Sequence, residues 1–547
     1  MLSVYPFEKT RPGTEEALTA IQEAFSRGKR FVIVSAPTGS GKSGIGVAFA
    51  RKYGAIICTP TKILQNQYSS TEEFTFEYPI FGKSNYFCGI PAFKSATVDA
   101  SICCSDELAS ASASKTPFSA ALSSAKGKGA AKRLKVLCSE HMICPYYSKI
   151  DRIKKNPGAI INYDLFFNIK SMPSLQRLHR ERDLGTSLVF DEAHQLIEKI
   201  SSHFGHELTN TQAIRVLGGE AARSKGEPVK DWLHRQINMA VTLLQVEDED
   251  AKVISRLNSF MRKLQFLVDV DVFDDIKFHI DDQGDVVNIR PLDFRMLKQL
   301  VFDPFDKILM MTATLPANFT EILGITPEEV EIVTIPSTFP KENRPVIFPT
   351  DIENVNYKTQ FTEDSEQIIL LNKIMTLHSN DKGLIHCANY KMLSQLKSIF
   401  YRNPRFLWVE RDMDKDKILE LHSSSPKPTI LVSPSMMEGV DLKDDFARFQ
   451  VMMKVPYPAL DEYTKRMDEI FPTWYQNKVV TSIVQAYGRA VRSETDHARF
   501  YILDGSFGML VSRYKKIIPS YFTEALKLAP KAKLHDALDR KIAEQRL

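Results

Sequence analysis

Eight consecutive residues have the types and the spacing that bind a nucleoside triphosphate. Gly39 and Gly41 would let backbone N–H groups approach the phosphates, while Lys42 would bring a positive charge to the β- and γ-phosphates. Ser43 could ligate Mg²⁺, and the start of the following helix adds partial positive charge. An ordinary tight turn is the alternative, but a strand, a glycine-rich turn and a helix in this order favour a triphosphate site. The predicted nucleotide-binding residues are Ala36, Pro37, Thr38, Gly39, Ser40, Gly41, Lys42 and Ser43.

An acidic pair follows a second apolar segment. Asp191 and Glu192 come directly after the predicted strand Ser187–Phe190 and precede His194. Asp191 would hold Mg²⁺ directly or through water, and Glu192 would orient and deprotonate the attacking water. His194 would couple this site to the other half of the molecule. Acidic residues are also favoured at any helix start, but the glycine-rich loop about 150 residues earlier favours the catalytic interpretation.

Three polar residues near the end of the chain predict a second contribution to this site. Gln485, Arg489 and Arg492 have the spacing i, i+4 and i+7, which predicts that they share one face of a helix. Two arginines on one face can stabilise the charge of a reacting triphosphate, provided that the face looks across a cleft. A solvated helix face is the alternative.

The elements that must position these residues form two α/β regions. Strands and helices alternate in each region, which predicts parallel sheets covered by helices. Asn343–Tyr357 is predicted to be the linker between the regions. The predicted strands are Phe31–Ala36, Ala55–Thr59, Ala159–Asn162, Ser187–Phe190, Lys307–Thr312, Gly383–Cys387, Thr429–Ser433, Phe449–Val455 and Phe500–Leu503.

Composition excludes several classes of protein. The 547 residues suggest three or four domains, and 71 basic against 67 acidic residues leave a net charge of +4, too small to indicate nucleic acid by itself. No segment approaches the ~18 apolar residues of a membrane span, and the N-terminus lacks a signal-peptide pattern. Seven cysteines are too few for a secreted disulfide scaffold. We therefore expect a cytoplasmic protein without membrane contact.

Five of the seven cysteines lie within 57 residues. None of them forms a CxxC pair, which argues against a zinc ribbon. Loop cysteines of this kind could instead hold an iron–sulfur cluster. Buried free cysteines are the alternative, and their concentration in one segment argues against it. The five are Cys88, Cys103, Cys104, Cys138 and Cys144.

Taken in order, these motifs resemble those of superfamily 2 helicases, and among these the chain resembles the XPD/DinG family over nearly its whole length. The glycine-rich loop corresponds to motif I, and Asp191–His194 corresponds to motif II. The other matching segments are Cys58–Thr61 (motif Ia), Met311–Leu315 (motif III), Gly383–Tyr390 (motif IV), Ser435–Leu442 (motif V) and Gln485–Arg492 (motif VI).

The resemblance implies an α/β fold with two RecA-like parallel-sheet lobes and two insertions in the first lobe. The first lobe would comprise residues 1–80, 156–205 and 298–337, and the second lobe residues 338–547. An iron–sulfur cluster insertion would occupy residues 81–155, and a helical arch-like insertion residues 206–297.

The resemblance also implies the cofactors. ATP with Mg²⁺ would bind motif I, Asp191 and two motif V residues, Glu438 and Asp441. A 4Fe–4S cluster would have its last ligand at Cys144, which begins the Cys-Pro-Tyr sequence that the family has at this ligand. The other ligands would be Cys88, Cys138 and either Cys104 or Cys103, with Cys104 preferred slightly.

The expected partners are single-stranded DNA and forked duplex DNA, bound by a monomer. Thr59 and Thr61 follow a predicted strand of the first sheet, and Asn162 with Tyr163 follows another, where XPD-like helicases have an Asn-Tyr close to DNA. The implied activity is ATP-dependent DNA unwinding, with movement from 5′ to 3′ known only through the resemblance. The alternatives are a translocase that does not unwind duplexes and a binding module whose ATPase is vestigial.

Two positions depart from the family pattern. The family usually has Arg-x-x-Gln near its N-terminus, where this chain has Arg11 and Thr14. It also tends to have Asp-x-Arg after a late strand, where this chain has Asp504-Gly505-Ser506. Adenine recognition and one contact between motifs are therefore expected to differ.

Overall fold

The computed structural model describes residues 1–74, 79–82, 85–87, 144–146, 148–149, 159–170, 187–245, 251–303, 305–411, 413–434, 442, 444–491 and 493–546. The strands are β1 (Phe31–Ser35), β2 (Ile56–Thr59), β3 (Pro79–Ile80), β4 (Ile160–Asn162), β5 (Ser187–Asp191), β6 (His206–Thr209), β7 (Phe278–Asp282), β8 (Val286–Pro291), β9 (Lys307–Thr312), β10 (Val330–Thr334), β11 (Val346–Pro349), β12 (Gly383–His386), β13 (Phe406–Trp408), β14 (Ile430–Ser433), β15 (Phe449–Met452), β16 (Arg499–Ile502) and β17 (Leu526–Ala529).

The α-helices lie between these strands, and most follow a strand of the sheet that they cover. They are α1 (Thr14–Ser26), α2 (Lys42–Tyr53), α3 (Lys62–Ser70), α4 (Tyr163–Lys170), α5 (Leu196–Phe204), α6 (Asn210–Leu217), α7 (Val229–Leu244), α8 (Ala251–Asp269), α9 (Lys298–Phe302), α10 (Phe319–Ile322), α11 (Glu366–Leu377), α12 (Tyr390–Phe400), α13 (Lys415–Ser424), α14 (Glu462–Ile470), α15 (Trp474–Tyr487), α16 (Ser506–Arg513), α17 (Ser520–Thr523) and α18 (Lys531–Arg546).

The first lobe contains a seven-stranded sheet with the order β10-β1-β9-β5-β2-β4-β3. Every pairing in it is parallel. Residues of β1 alternate between two cores, with Phe31 and Ile33 on one face and Val32 and Val34 on the other. Helices therefore cover both faces, as expected for a parallel sheet.

The second lobe contains another seven-stranded parallel sheet, with the order β13-β14-β12-β15-β16-β11-β17. The predicted linker Asn343–Tyr357 contributes a strand of its own, because β11 pairs with both β16 and β17. The interpretation of that segment as a linker alone was therefore wrong. Its Asn residues and Pro345 flank the apolar run that pairs, whereas Pro349 ends the strand.

The expected α/β fold with two parallel-sheet lobes is confirmed. All nine predicted strands are present, with ends that differ by at most three residues. Besides β11, strands β3, β10, β13 and β17 of the two sheets were missed, and these four are the edge strands. Edge strands lack the continuous apolar runs that identify buried parallel strands.

The block between β5 and β9 is mixed rather than purely helical. Helices α6, α7 and α8 pack beside an antiparallel sheet with the order β6-β8-β7. Strand β8 has the sequence VVNIRP, and its residues alternate between half-buried and buried. This alternation has the period of a strand, but charged residues nearby obscured it in the sequence. The helical prediction for this block is corrected to a helix-and-sheet unit.

This unit also contacts the second lobe. The Arg290 guanidinium lies 4.0 Å from the centre of the Tyr463 ring and pairs with Asp461 at 3.2 Å. The Tyr463 hydroxyl donates to the Pro291 carbonyl at 3.1 Å. The middle unit is therefore held against α14 of the second lobe as well as joined to the first.

Candidate active site

The predicted motifs converge at the carboxyl ends of the first sheet. In the parallel register, Ser35 lies beside Thr312, and Asp191 lies beside Met311. The glycine-rich loop leaves β1, the acidic pair leaves β5, and motif III leaves β9, which lies between them. Ligand sites of open α/β sheets lie at this edge.

The glycine-rich loop closes around its own lysine. Gly39 and Gly41 have positive φ values of 82° and 90°, a conformation that favours glycine. The buried Lys42 ammonium donates to the carbonyls of Ala36 at 2.7 Å and Pro37 at 3.0 Å. The loop therefore has the left-handed glycines and the inward lysine that a phosphate cradle needs.

Asp191 is a buried carboxylate with donors on both oxygens. Its Oδ1 accepts from the backbone N–H of Glu192 at 3.0 Å, and its Oδ2 accepts from the Tyr68 hydroxyl at 3.0 Å. Burial raises the pKa of Asp191 to about 6, with the charge of Glu192 adding to the rise and Lys42 opposing it. This balance between burial and charge is typical of carboxylates at functional sites.

Glu192 adopts a backbone conformation that is uncommon for its residue type. Its φ is +53°, a strained state that usually persists only where the surroundings impose it. The Glu192 carboxylate lies 3.4 Å from His194 Nδ1. The same nitrogen lies 3.1 Å from the Thr312 hydroxyl, so His194 joins the acidic pair to motif III within the first lobe.

The second lobe reaches the glycine-rich loop through a glycine. A Cβ atom added to Gly488 would lie 2.9 Å from the Thr38 hydroxyl, so the two segments approach closely. The Arg489 guanidinium donates to Gln485 Oε1 at 3.2 Å. Motif VI therefore lies against the phosphate loop at Gly488.

The prediction that Gln485, Arg489 and Arg492 share a helix face was wrong in its geometry. Helix α15 ends at Tyr487, so only Gln485 of the three lies on it, and Arg492 lies outside the described residues. Gly488, a poor helix former, follows the last helical residue. The helix ends where the chain must pass close to Thr38.

Tyr68 is a site residue that sequence reasoning missed. Its hydroxyl donates to Asp191, and burial raises its pKa well above the ordinary value, so it keeps its proton. It belongs to no motif. Only its place three residues after Gln65, on the buried face of α3, could have drawn attention to it.

A second missed group joins the lobes beside motif III. Asn477 of α15 accepts from the Ala317 N–H at 3.3 Å and donates to Asn318 at 3.4 Å. The Tyr521 hydroxyl donates to the Ala313 carbonyl at 3.2 Å. Motif III is therefore in direct contact with the second lobe.

Comparison with known proteins agrees with this arrangement. The DEAD_2 family model matches residues 61–213, and the model described as Helicase C-terminal domain matches residues 371–525. The Escherichia coli ATP-dependent DNA helicase YoaA is 22% identical over 92% of each chain. The Sulfolobus acidocaldarius ATP-dependent DNA helicase XPD is 21% identical, covering 73% of this chain and 78% of its own.

These matches support an XPD/DinG-like superfamily 2 helicase. Solved structures agree in fold. An XPD helicase structure has a TM-score of 0.57 at 16% identity, covering 96% of this chain and 100% of that one. The S. tokodaii Xpd4 structure has a TM-score of 0.56 at 13% identity, covering 95% and 100%.

The residues predicted to contact nucleic acid follow the far half of the same sheet edge. Thr59 of β2 and Asn162 of β4 are register partners. The Thr61 hydroxyl caps α3 by accepting from the Leu64 N–H, and the Asn162 side chain accepts from the Leu165 N–H. Both residues thus begin helices at this edge, and each helix is capped by a side chain.

Tyr163 has a different position from the one expected. It is fully buried, and its hydroxyl donates to the Asp191 carbonyl at 2.7 Å. Its ring therefore cannot stack on a base in this arrangement. It braces the acidic motif from α4.

The departures from the family pattern have local explanations. Arg11 and Thr14 lie beside Gly41, with side-chain atoms 3.5 and 3.6 Å from where its Cβ would stand. The Asp504 carboxylate accepts from the backbone N–H groups of Val355, Val455 and Ser506. It fastens loops of the second lobe rather than contacting another motif.

Several predicted residues lie outside the described part of the chain: Cys88, Cys103, Cys104, Cys138, Glu438, Asp441 and Arg492. Cys144 is described and buried, as are the thiols of Cys58 and Cys387, which were not expected to be ligands. In the described residues, no group of three or more His, Cys, Asp or Glu side chains could hold a metal ion. A search of the same residues finds no helix able to span a membrane.

Proposed function

We propose that this chain is an ATP-dependent DNA helicase that hydrolyses ATP between its two lobes while tracking along single-stranded DNA. The observation that carries the proposal is the close approach of Gly488 to Thr38. It brings the first residues of motif VI to the phosphate loop, so a nucleotide there would be contacted by both lobes. Opening and closing of that contact would couple hydrolysis to movement.

The residues at the sheet edge suit phosphoanhydride hydrolysis. Lys42 would neutralise the β- and γ-phosphates, and Glu192 would accept a proton from the water that attacks the γ-phosphorus. The bond between that phosphorus and the bridging oxygen breaks, and ADP leaves with the bond's electrons. Arg489 would stabilise the charge that develops in the transition state.

Magnesium fits the donors at this edge. The Ser43 hydroxyl at the start of α2 and the Asp191 carboxylate at the end of β5 lie at the same edge of the sheet. Hydroxyl and carboxylate oxygens are the ligands that Mg²⁺ prefers, with water and substrate phosphates completing the shell. Bound there, Mg²⁺ would screen the phosphate charge.

Single-stranded DNA would cross the far half of the edge, at Thr59, Thr61 and Asn162. These residues follow β2 and β4, whereas the nucleotide site follows β1 and β5. The names of the relatives YoaA and XPD identify them as DNA helicases. Forked duplex DNA as substrate, a monomeric state, 5′ to 3′ movement and a cytoplasmic location complete the proposal.

A 4Fe–4S cluster in residues 81–155 belongs to the same proposal. Its ligands would be Cys88, Cys104 or Cys103, Cys138 and Cys144, whose thiolates suit iron. Protein purified without oxygen should absorb broadly near ~400 nm because thiolate sulfur transfers charge to iron. Cys144→Ser should remove that absorption, whereas Cys387→Ser should not. Colourless protein with one bound zinc would contradict the cluster.

Lys42→Ala tests the hydrolysis proposal. Turnover should be abolished while single-strand binding is retained, because the two sites occupy different halves of the edge. Lys52→Ala, at an exposed position on the same helix, should hydrolyse ATP normally. Appreciable ATPase activity in Lys42→Ala would remove the assignment of the site.

A further inference from the structure

Tyr68 contacts the carboxylate that would hold the metal. Its hydroxyl donates to Asp191 Oδ2 at 3.0 Å. The residue is 2% exposed, so water does not compete for the hydroxyl.

The helix that carries Tyr68 is tied to the sheet. Gln65, one turn earlier on α3, donates to the carbonyls of Ile80 at 2.7 Å and Ile160 at 3.0 Å. The Tyr68 ring packs 5.5 Å from the Phe74 ring, centre to centre. The helix that carries Tyr68 and the ring of Tyr68 are therefore both held in place, and the hydroxyl with them.

We propose that Tyr68 is a positioning residue that orients the Asp191 carboxylate toward the metal and links it to α3. The inference rests on the proposed function, because it assigns Asp191 and Ser43 to Mg²⁺. Helix α3 begins directly after Thr61, at the edge where single-stranded DNA would lie. A displacement of α3 by bound DNA would move the hydroxyl and, through it, the carboxylate.

The hydroxyl matters more than the ring in this role. Tyr68 is the side-chain donor that the described residues give to Asp191 Oδ2. Tyr68→Phe would keep the aromatic packing and remove that donor. The carboxylate now accepts a hydrogen bond on each oxygen. Without the donor on Oδ2 it could rotate away from its present orientation.

Manganese affinity tests this without turnover. Mn²⁺ binding to the full chain with a non-hydrolysable ATP analogue would be measured by electron paramagnetic resonance. We expect Tyr68→Phe to weaken Mn²⁺ binding roughly tenfold, the effect of losing a hydrogen bond to a charged group. Tyr53→Phe, another tyrosine of the same core, is the control and should match wild type. Affinity within twofold of wild type in Tyr68→Phe would overturn the proposal.

Stimulation by DNA tests the link to α3. In Tyr68→Phe, the ratio of ATPase rates with and without single-stranded DNA should fall severalfold while the DNA dissociation constant stays unchanged. An unchanged ratio would overturn the link. Failure of the proposed function would look different, because the wild-type chain itself would then lack ATPase activity, whereas the Mn²⁺ measurement would still report on Tyr68.

Discussion

Two buried aspartates follow strands of the two sheets and are used in opposite ways. Asp191 ends β5 of the first lobe, and Asp504 lies two residues after β16 of the second; they are 4% and 0% exposed. Asp504 accepts three backbone N–H groups, at 2.8, 2.9 and 3.0 Å, from three separate segments. Asp191 accepts one backbone N–H and one tyrosine hydroxyl.

The difference separates a carboxylate that stabilises the fold, Asp504, from one that we propose binds the metal, Asp191. Three backbone N–H groups donate to the Asp504 carboxylate and stabilise its charge. Because they belong to different loops, Asp504 holds these loops together. Asp191 has an acidic neighbour instead, and burial raises its pKa to about 6. The residue after Asp504 is Gly505, where a Cβ would lie 2.1 Å from the Ile352 carbonyl oxygen. The second lobe therefore has no counterpart of Glu192 at this position.

The largest effect should come from Glu192. Glu192→Gln keeps the shape of the side chain but removes the proton acceptor, so ATP turnover should fall by at least about 100-fold. Thermal unfolding should stay close to wild type. Glu23→Gln, on the exposed surface of α1, is the control. Turnover within tenfold of wild type would remove the catalytic half of the contrast between the lobes.

Asp504→Asn should instead weaken the fold. The amide nitrogen would replace one acceptor by a donor facing a backbone N–H, and we expect a loss of about 2–4 kcal/mol of unfolding free energy. Chemical unfolding followed by circular dichroism measures it. Unchanged stability with lost ATPase activity would reverse the roles assigned to the two aspartates.

Asp191→Asn should have the opposite sign, because its amide nitrogen can donate to the Tyr68 hydroxyl, which can accept as well as donate, whereas the backbone N–H groups around Asp504 only donate. The pKa of Asp191 rises from 3.8 to about 6 on folding, so the unfolded chain loses this proton first as the pH increases. The contribution of Asp191 to wild-type stability should therefore fall between about pH 4 and pH 6, and the Asp191→Asn variant, which has no proton to lose at this position, should lack that fall. Above about pH 6 the variant should be more stable than wild type by about 1–3 kcal/mol. Equal stabilities at about pH 7.5, measured by chemical unfolding, would contradict the burial cost.

The smallest effect should come from the contact between the lobes. In Gly488→Ala, the added methyl group would meet the Thr38 hydroxyl, which can rotate away. We expect the activation free energy of ATP hydrolysis to rise by about 1 kcal/mol, which lowers turnover about fivefold. The free energy of unfolding should stay unchanged. A smaller effect of Gly488→Ala in a Thr38→Ala background, which lacks the hydroxyl that the methyl group meets, would show that the contact is responsible. An unchanged rate in Gly488→Ala would mean that motif VI and the phosphate loop do not meet during turnover.

Sequence alone predicted the first lobe's edge well. Gly39, Gly41 and Lys42 are neighbours in the chain, and the apolar strand before Asp191 is continuous, so short patterns contain most of the needed information. The parallel sheets followed from the alternation of strands and helices. Motif order then identified the family, which the comparisons support.

What sequence missed depends on contacts between distant segments. Tyr68 and Asp191 are 123 residues apart, and nothing in the nine residues of α3 indicates a partner. The end of α15 at Tyr487 was missed because the helical spacing of Gln485, Arg489 and Arg492 was followed past Gly488. The sheet β6-β8-β7 was hidden because polar and charged residues interrupt the apolar pattern of its strands.

Strand displacement separates a helicase from a translocase. Wild-type protein and Lys42→Ala would be given ATP with duplexes that differ only in a 5′ or a 3′ single-stranded tail. We predict that wild type unwinds the 5′-tailed duplex, that the 3′-tailed duplex stays intact, and that Lys42→Ala unwinds neither. ATP hydrolysis stimulated by single-stranded DNA without displacement of either strand would contradict duplex unwinding and leave a translocase that does not unwind.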